Sequence, residues 1–171
     1  MLITDEYKQT MAMLHATDKR FSAEGGKYAE HILMLASQMN TTDVLDYGCG
    51  KSNLANNLPF PIKQYDPAVK KYEALPSTAA LVSCTDVLEH IEPECLDAVL
   101  DHLCGLVLDT GFFVISIIPA IKILPDGRNA HISLLTPTEW FTKLSSRMHI
   151  LQYENNNRDL TIIVKHKVIT C

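Results

Sequence analysis

The chain reads as an α/β sandwich with a mainly parallel sheet and an antiparallel edge strand. Short apolar, β-prone runs alternate with segments of helical period, one of those runs ends in a Gly-x-Gly turn, and the last two runs are joined by a polar turn in place of a helix. The 171 residues suit a single domain, 1–171, whose core needs no disulfide or metal staple.

Residues 5–14 and 28–39 carry apolar side chains at helical spacing, Met11 with Leu14 and then Ile32, Leu33, Leu35, Ala36 and Met39. They make an N-terminal helical arm, 1–40, connected by a loop at 15–27 that contains Gly25 and Gly26. A polar break at 40–43 leads into a strand at 44–47, which runs straight into Gly48-Cys49-Gly50 and then a helix over 52–57. Prolines at 59 and 61 end that helix. Residues 62–66 read as a second strand closed by Asp66 and Pro67, and 69–75 as a short helical piece. The apolar run at 79–84 is a buried parallel strand, 93–107 an amphipathic helix with proline in its first turn, and 111–118 a third buried strand. Residues 119–136 have no period and form a loop. A helix at 137–146 follows with Thr136 as N-cap, and strands at 148–154 and 160–168 close the fold around the polar turn 155–159.

Composition narrows the function. With 47% hydrophobic and 20% charged residues the chain is of the globular class. Fifteen Lys and Arg against twenty Asp and Glu give a net charge of −5, with the signs interleaved, which argues against a broad basic face for duplex nucleic acid. The longest uncharged apolar stretch, 111–121, is about half a membrane span and is broken by Ser116 and Pro119, so no membrane association is expected. Residues 1–6 lack the basic start and apolar segment of a signal peptide, and the expected location is cytoplasmic. The five cysteines are odd in number and show no CxxC spacing, which agrees with a reducing compartment and no zinc role.

In a doubly wound sheet the ligand lies beyond the carboxyl ends of the strands, which points to residues 47–52, Asp66 and the segment after Cys84. Gly48 and Gly50 let the backbone turn sharply and approach a ligand, and Asp66, 18 residues after Gly48, suits the hydroxyls of a ribose. The tail Gly50-Lys51-Ser52 imitates a phosphate-binding P-loop, but Leu45 stands where that motif has its first glycine, and Asn53 where a dinucleotide fold has its third. The segment Val44-Leu45-Asp46-Tyr47-Gly48-Cys49-Gly50 instead resembles the first motif of class I S-adenosylmethionine-dependent methyltransferases: a hydrophobic strand, an acid, then G-x-G. Residues 84–91, Cys-Thr-Asp-Val-Leu-Glu-His-Ile, resemble the fourth-strand segment of small stand-alone members of that superfamily. The resemblance covers residues 28–168, and its specificity lies in three signals in the right order.

That resemblance implies a Rossmann-like methyltransferase sandwich with S-adenosylmethionine as cofactor. Asp46 would order the turn and the methionine amino group, Gly48, Cys49 and Gly50 would run along methionine and ribose, and Asp66 would hold the ribose hydroxyls. Thr85, Asp86 and Val87 would line the cofactor at the tip of the family's fourth strand. Only thirteen residues separate Asp66 from Ala80, so the family's third strand and its helix are shortened or missing, and the adenine contact they usually supply is unassigned. Ser52 replaces the third glycine of the longer family pattern.

Methyl transfer is an in-line displacement, so the protein positions the acceptor and, for a hydroxyl or ammonium acceptor, removes a proton. His131, in the polar loop after the third buried strand, and His90, directly after the run at 79–84, are the candidate catalytic residues. Each has a plainer reading: a solvated loop for His131, a structural or cofactor-side role for His90. Arg128 would hold a charged acceptor or simply pair with Asp126. Trp140 would wall the acceptor pocket or belong to the core, and Phe141, Phe21 and Tyr28 carry the same two readings. The loop at 19–26 would act as a lid hinged at Gly25 and Gly26, or only join two helices. Histidines and acids never fall at ligand spacing on one element, so no metal is expected.

The expected function is S-adenosylmethionine-dependent methyl transfer to a small-molecule acceptor. Thr85-Asp86-Val87-Leu88 stands where exocyclic methylation of DNA bases has a D-P-P-Y-like motif, and no Pro-Cys nucleophile for cytosine C5 is present there. DNA bases are therefore disfavoured, while RNA, a nucleotide or a protein stay open as acceptors. Two other readings compete: a non-catalytic, cofactor-binding partner subunit of methyltransferase-like fold, and an NAD-linked oxidoreductase. With no inserted cap the acceptor pocket should be shallow, closed by the arm, by the loop at 119–136, or by a second subunit in a homodimer.

Overall fold

The computed structural model describes residues 1–18 and 25–167. Strands β1 (Val44–Tyr47), β2 (Lys63–Tyr65), β3 (Ala79–Thr85), β4 (Val107–Ser116), β5 (His149–Asn155) and β6 (Asp159–Lys165) form one six-stranded sheet in the order β2-β1-β3-β4-β6-β5. The pairs β1–β2, β1–β3 and β3–β4 are parallel, whereas β6 runs antiparallel between β4 and β5. The chain leaves β1 toward β2 on one side and returns to β3 on the other, so the tips of β1 and β3 flank a crevice at the switch point.

Adjacent residues of the central strands serve opposite cores, as a period of two requires. Val44, Leu81, Phe112 and Val114 pack under helices α2 (Ala29–Gln38) and α3 (Asn53–Asn56), with Ile32, Leu35 and Leu54. Leu45, Val82, Phe113 and Ile115 face α4 (Pro93–Leu106) and α5 (Pro137–Ser145), where Val99, Leu103, Trp140 and Leu144 complete the larger core. Proline opens α4, which buries Cys95, Leu96, Val99, Leu100 and Leu103 at helical spacing. Thr136 and Glu139 form a reciprocal capping box at the start of α5.

Helix α1 (Asp5–Thr17) lies over the strand tips and not against a face of the sheet. Tyr7, Met11 and Leu14 pack on Ala68, Leu124 and Ala130 from the loops beyond β2 and β4. Its start is tied down by the buried Glu92, whose two carboxylate oxygens accept from the Thr4 amide at 2.9 Å and the Thr4 hydroxyl at 2.7 Å.

Two expected elements differ. Residues 69–75 form no helix; successive turns run over 66–72, where Asp66 Oδ1 accepts from the Ala68 amide, the Val69 amide donates to Asp66 O, and the Tyr72 amide donates to Val69 O. Each of these short-range bonds closes a tight turn, which leaves no room for the longer nucleus that an α-helix needs. Strand β4 begins at Val107, four residues before the expected start, because α4 ends at Leu106 with no intervening loop. Residues 66–78 supply no strand, in line with the shortened or missing third-strand region expected, and β2 stands at the edge of the sheet. The expected lid at 19–26, and Phe21 with it, lies outside the described residues except for Gly25 and Gly26, which open a 3₁₀ turn, Gly25–Tyr28. No helix among the described residues is long and apolar enough to cross a membrane.

Candidate active site

The turn after β1 is built by left-handed residues. Gly48 has φ +81°, and a Cβ there would stand 2.4 Å from Cγ2 of Val87, so the position needs glycine on both counts. Ser52 also adopts positive φ. The amides of Gly48 and Cys49 donate to the Tyr65 carbonyl at 2.7 and 3.0 Å, and the Gly50 amide donates to Asp66 Oδ2 at 3.0 Å. Three successive N–H groups are thus spent on the end of β2. A phosphate cradle needs such groups aimed at the ligand, so the turn works by shape and by the acid it orders.

A first cleft lies between these strand tips and α1. Tyr7, Met11 and His15, spaced four apart and so on one helix face, oppose Tyr47, Gly48, Asp66, Asp86, Val87 and His90 across a cavity of about 130 Å³. Asp66 is buried, with His15 Nε2 3.8 Å from Oδ2. Burial pulls His15 below the usual imidazole range, against the opposing pull of Asp66. Beneath the turn, burial and then the Asp66 charge push the Asp46 carboxyl up to about 7. Asp86 has φ 55°, and its carboxylate pairs with Lys27 at 3.0 Å.

A second, larger cleft of about 700 Å³ opens on the other side of the β3 tip. Glu89, Ser116, Ile118, His131 and Arg158 are among its lining residues, and it shares Asp86 and His90 with the first. The rings of His90 and His131 meet edge to face, with centroids 4.8 Å apart. His90 Nδ1 lies 2.7 Å from the Ala130 carbonyl and His131 Nδ1 2.6 Å from the Ile118 carbonyl. Burial, with the neighbouring His131, lowers the His90 pKa to about 4, so this ring is neutral near pH 7. Glu89 accepts the Ser116 amide on Oε1 at 3.0 Å, while burial, with Asp86 adding, pushes its carboxyl up to about 8.

No protein-family model matches the chain, and no curated protein matches it in sequence. Solved structures do match in shape. The 1,6-didemethyltoxoflavin-N1-methyltransferase of Burkholderia thailandensis, solved with 1,6-didemethyltoxoflavin and S-adenosylhomocysteine, is similar with a TM-score of 0.63 at 14% identity, over 95% of this chain and 90% of its own. The magnesium protoporphyrin IX methyltransferase of Synechocystis, with bound S-adenosylhomocysteine, gives 0.60 at 13% over 95% and 97%. The N-methyltransferase NodS of Bradyrhizobium japonicum, also with S-adenosylhomocysteine, gives 0.57 at 12% over 94% and 99%. The chain has the class I methyltransferase fold.

On that fold the expected residues fall in several distinct places. Gly48, Asp66, Asp86 and Val87 line the first cleft, whereas Asp46, Cys49, Gly50 and Thr85 are buried in the turn and strands that support it. His90 and His131 face the second cleft. Arg128 and Trp140 do not line it. Arg128 pairs with Asp126 at 2.7 Å and stands over the Tyr7 ring, in a separate depression of about 400 Å³ with Thr4, Glu92 and Glu94. Trp140 is fully buried between α5 and the sheet, because its place on the inner face of an amphipathic helix turns it to the core. The cleft-lining face of α1 and the carboxylate of Glu89 were not among the residues expected from the sequence. The spacing of Tyr7, Met11 and His15 carries a signal for the first, but only the neighbouring of β3 and β4 exposes the second.

Proposed function

We propose that the protein transfers a methyl group from S-adenosylmethionine to a small-molecule acceptor, with cofactor and acceptor in the first and second clefts. The observation that carries this reading is that the two clefts meet at Asp86 and His90, as an in-line displacement between two bound molecules requires. Gly48, Asp66, Asp86 and Val87 would hold the cofactor, and the fit rests on a buried carboxylate at the end of β2 beside a turn that excludes any side chain. S-adenosylmethionine supplies an electrophilic methyl group when bound.

The first cavity, about 130 Å³, is smaller than the 300–1,000 Å³ of ordinary ligand sites, so α1 moves outward to admit a nucleoside with an amino-acid tail. The second cleft is already of that size, which favours a small acceptor. His131 is the catalytic residue of the pair. A carbonyl can only accept, so the contact with Ile118 puts the ring hydrogen on Nδ1 and leaves the Nε2 lone pair to take the acceptor's proton. His90 binds its proton too weakly to serve near neutral pH and shapes the junction of the clefts.

Incubation with methyl-labelled S-adenosylmethionine and a cell extract tests this. Label should enter the dialysable fraction with the wild-type protein and fall at least about tenfold with His131→Ala, while cofactor binding is unchanged. Label found only in RNA or protein overturns the choice of acceptor, and undiminished transfer by His131→Ala removes His131 as the base.

A further inference from the structure

Glu89 is 0% exposed, in the 3₁₀ turn Leu88–His90 that follows β3. An ionised carboxylate in such a place costs several kcal/mol unless it is paired. Its Oε1 has the Ser116 amide, but Oε2 is buried with no hydrogen-bond partner among the described residues. Two imidazoles stand beside it. Each has its Nδ1 on a backbone carbonyl, which accepts only, so both rings carry their hydrogen on Nδ1 and a lone pair on Nε2. One ligating atom from each of Glu89, His90 and His131 lies within 4.8 Å of the others.

We propose that Glu89, His90 and His131 form a binding site for one divalent first-row transition cation, open toward the second cleft. Two imidazole nitrogens and one carboxylate oxygen suit Zn²⁺ or Mn²⁺, whereas Mg²⁺ and Ca²⁺ prefer all-oxygen sets. The carbonyl contacts of Ala130 and Ile118 are the outer-shell bonds that fix the tautomer and direction of ligating histidines. A cation supplies the partner that Oε2 lacks, and bond lengths of about 2 Å draw the three side chains slightly together. Three protein ligands leave at least one coordination position free. Because the site lines the second cleft, that position can take an oxygen atom of the acceptor, a role that rests on the methyl-transfer reading above. In the loaded protein His131 then acts through the cation and not as the base. The sequence offers no such set on any one element; the ligands come from the turn after β3 and the loop after β4, which parallel pairing sets side by side.

Calorimetric titration of the full, chelator-stripped chain with Zn²⁺ and with Mn²⁺ tests the site without cofactor or acceptor. One cation per chain is expected, with affinity reduced at least about tenfold in Glu89→Gln and in His131→Ala. His131 lies half-exposed on a loop, so its variant keeps the test decisive should the buried Glu89→Gln fail to fold. No saturable binding by the wild type, or equal affinity in His131→Ala, overturns the proposal. That outcome leaves methyl transfer standing with His131 as base, while loss of cofactor binding with an intact cation site overturns methyl transfer alone.

Discussion

Gly48 admits no side chain, because both its φ of +81° and the 2.4 Å approach to Val87 forbid one. Gly48→Ala should destabilise the fold by roughly 1–3 kcal/mol and weaken cofactor binding, read by chemical denaturation and calorimetry. Asp66 joins two roles, ordering the amides of Gly50 and Ala68 and lining the first cleft. Asp66→Ala should therefore cost at least about tenfold in affinity for S-adenosylhomocysteine; an unchanged affinity would remove it from the cofactor site. Asp46 makes a pH-dependent contribution. Its folded pKa of about 7 lies above the ordinary 3.8, so the folded chain keeps a proton that the unfolded chain has lost between these values. Stability from this group is full below the lower value and is lost as the pH rises toward the upper one. Asp46→Asn should gain in Tm over the wild type between about pH 5 and about pH 8. A gap that stays constant across that range would show that Asp46 is ionised in the fold. The turn itself was legible at this scale, since glycine, acid and strand are adjacent in sequence. Arg128 and Trp140 were not, because a helix or loop residue's direction depends on what packs against it.

Helix α1 is held over the strand tips by a few named bonds, chiefly Thr4 to Glu92 and the Tyr7 hydroxyl to the His90 carbonyl at 2.8 Å. Removing the carboxylate in Glu92→Ala should free α1 at a cost of about 1–3 kcal/mol. Hydrogen exchange should then accelerate in α1 while α4 and the sheet keep their protection; uniform acceleration would mean that Glu92 supports the whole fold and not the roof of the cleft. The central strands and α4 were readable because buried parallel strands are continuous apolar runs and α4 repeats its apolar residues at helical period. Residues 69–75 misled because their helix-like composition lies where Asp66 captures the following amide into turns. The placement of α1 was hidden for a different reason: periodicity gives a helix its apolar face but not the surface that face meets.

Across the whole molecule, the sheet ends at β2, and α1 covers the tips of β1, β2 and β3. The fold class, an antiparallel pairing at one end of the sheet and the short third-strand region could all be read from the order of apolar runs and turns. The partition of the ligand region into two clefts that meet at Asp86 and His90 could not, because it depends on which strands neighbour one another. The proposed choice of S-adenosylmethionine over a dinucleotide rests on the turn after β1, whose amides at 48, 49 and 50 are spent on Tyr65 and Asp66 and not aimed at a phosphate. Calorimetric titration with S-adenosylhomocysteine and with NAD reads that difference directly. S-adenosylhomocysteine should saturate one site per chain while NAD gives no heat of binding; tight binding of NAD with no response to S-adenosylhomocysteine would contradict the assignment.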